Sequence, residues 1–179
     1  PIVIAVALFV LSGYPHQVSA ESRQIQRAKS AVAIGMKPIV KSAASYVAQK
    51  KCFTCHHQAL PVMAAVRAEA IGVKADRHWL ETQQKFTADF FLERKAELKK
   101  GQGVPGGAFT AGYALAQLIT TSQITNAEAI DSADRPGATN ELLEYLLKIY
   151  KPARPWKINT IRPPLESSDF TASAIKYTT

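Results

Sequence analysis

A chain of 179 residues with 47% hydrophobic residues has enough apolar material for one folded domain and too little length for two large ones. The formal net charge of +8 would suit nucleic acid, but the basic residues are scattered and no nucleic-acid motif is present. The densest basic stretch, Arg94, Lys95, Lys99 and Lys100, is interrupted by Glu93 and Glu97 and reads as a solvated helix face. The expectation is therefore no nucleic-acid partner, with weak peripheral attraction to anionic lipid headgroups still open to such a chain.

Residues 1 to 20 contain no Lys, Arg, Asp or Glu, and Ile2 to Leu11 is an unbroken apolar run. Gly13 and Pro15 follow, then Val18-Ser19-Ala20 with small residues where a signal peptidase cuts. The run is shorter than the roughly 20 residues that span a bilayer. The expectation is therefore a partial signal peptide over 1–20 and an exported chain from Glu21, in the periplasm or secreted, under oxidising conditions.

From Arg23 to Val47 apolar residues recur near a 3.6-residue period at Ile25, Ala28, Val32, Met36, Ile39 and Val40, which predicts a helix that Pro38 kinks or splits. Gln58 to Ile71 reads as a second helix with Pro61 in its first turn and Gly72 as its stop. Asp76 is placed to cap a long helix reaching about Lys100, with Trp79, Leu80, Gln83, Phe86, Phe90 and Phe91 on its buried face and Gly101 at its end.

The glycine-rich stretch 101–107 matches neither phosphate-binding spacing and no strand precedes it, so it reads as a tight connection between close helices. Ala108 to Thr120 is a small-residue helix suited to deep packing, and Ala127 to Ala138 is polar and loop-like. Asn140 is expected to cap Glu141 to Tyr150, amphipathic on Leu142, Leu143, Leu146, Leu147 and Ile149, before Pro152 stops it. Residues 151–165 are proline-rich and irregular. Ser167-Ser168-Asp169 announces a helix that has barely begun at Thr179, so the chain is expected to continue in a longer protein. No strand run stands out. The expectation is an all-α fold of helical hairpins.

The chemistry concentrates in Cys52-Phe53-Thr54-Cys55-His56-His57, which holds both cysteines of the chain. Cys-x-x-Cys-His is the attachment pattern of a c-type haem: two thioether bonds anchor the porphyrin, and the adjacent histidine is held under the iron. Cys52 and Cys55 would carry the haem c, with His56 as the proximal iron ligand. Three alternatives use the same residues: a redox-active pair or disulfide between Cys52 and Cys55, a zinc site with His56 or His57 and a ligand from elsewhere, and a purely structural pair. His78 is the other histidine of the expected mature chain. Met36 or His78 could approach the far side of the haem from another helix, whereas Met63 and His57 belong to the same segment as His56. The expected role is electron transfer or binding, with a redox partner or a hydrophobic ligand.

Three stretches resemble bacterial secreted proteins of the squalene-cyclase and prenyltransferase-repeat type. They are Lys41 to Val47 running on through Cys52 to Met63, then Gly106-Gly107 with Thr110 to Leu115, then Arg162 to Ala172. The resemblance implies an α/α toroid, of which residues 21–179 would form an N-terminal arc. It also implies a terpenoid-cyclase-like enzyme as the alternative function, its catalytic part lying outside this stretch. The Asp-x-Asp-Asp motif and the Gln-Trp repeat of those cyclases do not occur here, with Asp131 and Asp134 lacking the pattern.

Overall fold

The computed structural model describes residues 20–124 and 137–151, and among them every regular element is helical. The protein is all-α. The described residues form six α-helices, α1 (Ala20–Gln49), α2 (Leu60–Ala70), α3 (Arg77–Leu92), α4 (Lys95–Lys100), α5 (Gly107–Ser122) and α6 (Ala138–Ile149), with a π-helical turn, Cys55–Ala59, leading directly into α2. None of the described helices is long and apolar enough to cross a membrane. The expected signal segment up to Ser19, most of the polar stretch 127–138, the proline-rich segment after Lys151 and the helix start at Ser167 lie outside the described residues.

Helix α5 is the centre. Its sequence is rich in Ala and Gly, so neighbours can come close on every side, and the main core surrounds Phe109, Ala111, Ala114, Leu115 and Leu118. A helix that is apolar nearly all round belongs in the interior. It packs on α2, α3, α6 and the π-turn, while α1 lies outside against α2 and α3. A second, smaller cluster of Val62, Ala65, Trp79 and Leu80 joins α2 and α3 to α1 through Ala43.

Glutamines tie the layers together. Thr87 Oγ1 donates to Gln117 Oε1 at 3.0 Å, and Gln117 Nε2 donates to the Gln83 carbonyl at 3.3 Å. Gln83 Nε2 in turn donates to the Ala43 carbonyl of α1 at 3.4 Å. All three polar side chains are fully buried, where unmet hydrogen bonds are costly, so these contacts fix which residues of α1, α3 and α5 face each other.

Several sequence expectations are corrected. Pro38 does not split α1, which runs unbroken for 30 residues. Pro38 is exposed, so water can serve the carbonyl that its missing N–H abandons. The apolar face of α1 is only partly used: Met36 and Val40 pack on the smaller cluster, but Ile25 and Ile39 are exposed. The expected long helix from Asp76 is two helices. Asp76 does cap α3, its carboxylate accepting from Trp79 N at 3.1 Å. The chain then turns at Glu93–Arg94, where Arg94 donates to the Phe90 carbonyl at 2.8 Å and lies 3.8 Å over the Phe90 ring. The turn lets α4 bury Leu98 in the main core.

Phe86 is half-buried rather than buried, while Trp79, Leu80, Gln83, Phe90 and Phe91 are buried as expected. Helix α6 starts a turn before Asn140, from an extended Gly137. It buries Leu142, Tyr145 and Leu146 and leaves Leu143 and Leu147 exposed.

The glycine-rich connection between α4 and α5 is as tight as its composition implies. Gly103 has φ 70°, and a Cβ there would stand 2.1 Å from the Tyr145 hydroxyl and 2.6 Å from its Cζ.

Candidate functional site

The segment 52–59 is held by contacts that alternate in and out. Phe53 points inward at 4% exposure, with its ring 5.4 Å from Phe91 in an edge-on arrangement and 6.3 Å from Phe90. Cys55 is also buried at 4% and belongs to the main core. Cys52 and His56 are exposed. The two cysteines are not joined in a disulfide.

The π-turn is secured by a reciprocal pair. Thr54 Oγ1 accepts from the His57 N–H at 3.2 Å, while Gln58 Oε1 accepts from the Thr54 N–H at 2.6 Å and from its hydroxyl at 3.0 Å. An ordinary capping box places the reciprocating Glu or Gln three residues after the Ser or Thr. Here it stands four residues on, because the wider turn holds one more residue. The sequence reading missed Gln58, which is fully buried, and Phe53, which anchors the segment. The Thr-x-x-x-Gln spacing, one longer than the box, was the available signal.

Helix α1 closes one side. The Tyr46 ring stacks on His57 at 4.6 Å and 17°, and the Tyr46 hydroxyl lies 3.0 Å from Cys52 Sγ. His56 and His57 have ring centroids 4.4 Å apart. His57 Nδ1 and Gln58 Nε2 are buried with no hydrogen-bond partner among the described residues. Tyr113 of α5 comes close to Cys55: burial, and secondarily the charge Cys55 would carry as a thiolate, push the Tyr113 phenol above its ordinary value.

Of the other candidates, Met36 and His78 lie well along their helices from this segment, and Met63 follows it on α2. Met36 precedes Tyr46 by ten residues on α1, about 15 Å along the helix axis. His78 is exposed in the first turn of α3, twelve residues and about 18 Å along the axis from Phe90. Met63 is half-buried on α2. Among the described residues no group of three or more His, Cys, Asp or Glu side chains is placed to hold a metal ion.

The donor chemistry of the segment fits a covalently attached haem: two thiols outside any disulfide and an imidazole at the surface, in the attachment order. The 4% exposure of Cys55 adds a condition, since a thiol so buried is beyond a porphyrin's reach in the folded chain. Attachment at Cys55 would therefore have to precede folding or accompany local opening. Comparison with known proteins finds no match: no family model, no curated protein and no solved structure is similar to this chain.

Proposed function

We propose that this is an exported helical protein that carries a c-type haem on Cys52, Cys55 and His56 and works in electron transfer or binding. The observation that carries the reading is the intact Cys-x-x-Cys-His order on a segment whose thiols are not in a disulfide and whose His56 is exposed. When bound, the haem would supply a one-electron iron couple. The chain's own part is to hold the thioethers at Cys52 and Cys55, to present His56, and to fix the segment through Phe53 and the Thr54–Gln58 pair. The all-α class agrees with an arc of an α/α toroid, the architecture the resemblance implies.

The experiment is export from a host with a cytochrome c maturation system. The protein is expected to hold a chromophore through denaturation, and Cys52→Ser with Cys55→Ser to abolish it. His56→Ala is expected to alter the absorption spectrum more than His57→Ala. A colourless protein about two mass units lighter than its dithiol form would replace the haem by a redox disulfide. Colourless protein with chelator-removable metal would assign zinc.

A further inference from the structure

A cavity of about 490 Å³ opens between α1, α2 and the start of α3, within the size range of small-molecule sites. No residue of the 52–59 segment lines it, so it is separate from the haem proposal. We propose that it binds an amphiphile with a single apolar chain and an anionic head, of the long-chain carboxylate class.

Two observations converge. The first is the wall, which is apolar: Met36, Val40, Ala65 and Trp79 face the space. The second is charge. Lys37 and Lys41, one turn apart on the same stripe of α1, and Lys74 from the loop before α3 are exposed lining residues. The acid among the lining residues is Asp76, whose carboxylate is already engaged by the Trp79 N–H as the cap of α3. Three cations against one committed carboxylate favour an anionic head.

The test titrates the full chain with oleate, in a Trp156→Phe background that leaves Trp79 as the only tryptophan reporting fluorescence. The expected result is saturable one-to-one binding, with oleyl alcohol, which lacks the charge, at least about tenfold weaker. Replacing Lys37, Lys41 and Lys74 together by Gln is expected to weaken oleate by about tenfold or more, and added salt to weaken it in the parent. Ala44, exposed and lining the same space, can be enlarged with little threat to folding, so Ala44→Phe with an unchanged circular-dichroism spectrum is expected to lower affinity similarly. Absence of saturable oleate binding, equal binding of the alcohol, or indifference to Ala44→Phe would overturn the proposal. So would binding to phosphatidylglycerol vesicles that needs the lysines but survives Ala44→Phe alongside unaffected oleate affinity, which would assign the lysines to a membrane surface. Repeating the titration on the Cys52→Ser, Cys55→Ser protein keeps the outcome independent of haem.

Discussion

Gly103→Ala probes a close approach between the glycine-rich connection and α6. At φ 70° an alanine carries a left-handed penalty of about 1–2 kcal/mol. Its Cβ would also stand 2.1 Å from the Tyr145 hydroxyl, 2.6 Å from Cζ and 3.1 Å from Cε2. Tyr145 is 3% exposed and its ring is rigid, so it cannot swing clear without disturbing Leu142 and Leu146 on the same face of α6. Overpacking of this kind costs about 1–3 kcal/mol. The sum, about 2–5 kcal/mol, is a large share of the 5–15 kcal/mol typical of a domain. Urea unfolding monitored by circular dichroism would measure it as a lower midpoint at unchanged slope. In a Tyr145→Leu background the ring atoms are gone, and the same substitution is expected to cost only the backbone penalty. The two substitutions should thus be coupled by about 1–3 kcal/mol. Equal costs in the two backgrounds would show that Tyr145 does not fill the space against Gly103, and the reasoning would fail.

Phe91→Ala, which empties a fully buried site against Phe53 and Phe90, is expected to cost about 3–5 kcal/mol. Phe86→Ala, at a half-buried site, should cost about 1–2 kcal/mol in the same urea assay. Lys95→Met leaves the 2%-exposed Glu141 without its 2.6 Å partner and should destabilise by about 1–3 kcal/mol, and adding Glu141→Gln should recover part of the loss in thermal unfolding. Burial raises the Tyr145 phenol above 10.0, so at lower pH both states keep the proton and the stability is whole. As pH rises past that value the unfolded chain releases its proton first, and stability falls through the folded pKa. Unfolding measured between about pH 9 and pH 11 should show a shallower fall in Tyr145→Phe, the remainder including Tyr113.

Where structure follows from neighbours in sequence, the chain was readable. Asp76 capping α3, the stop at Gly72, the tight glycine-rich connection and the deep placement of α5 each depend on a few adjacent residues. The break at Arg94 was not readable, because the residues around it are good helix formers and the reason to turn is distant: Leu98 gains a place in the core beside α6. The exposure of Ile25, Ile39, Leu143 and Leu147 was hidden for the same reason, since periodicity marks a face but not whether a partner covers it. At the candidate site the donors were legible and their support was not. Phe53 looks like a spacer between cysteines until Phe90 and Phe91, more than thirty-five positions later in the chain, are seen against it.

The extra residue in the turn after Thr54 also sets a phase. Each position along an α-helix rotates the following side chains by about 100°, so a chain that gains one residue inside a wide turn rejoins α2 with Leu60 onward in their packed orientation. Deleting a single residue between Cys55 and Gln58 would shorten the turn to ordinary width and keep α2 seated, because Thr54 and Gln58 would then stand at capping-box distance. The residue removed would be one of two adjacent histidines, so the fold could survive such a deletion with the Cys-x-x-Cys-His order intact. Segment 55–59 is thus a place where the width of the turn can change by one residue while the order of the reactive residues stays the same.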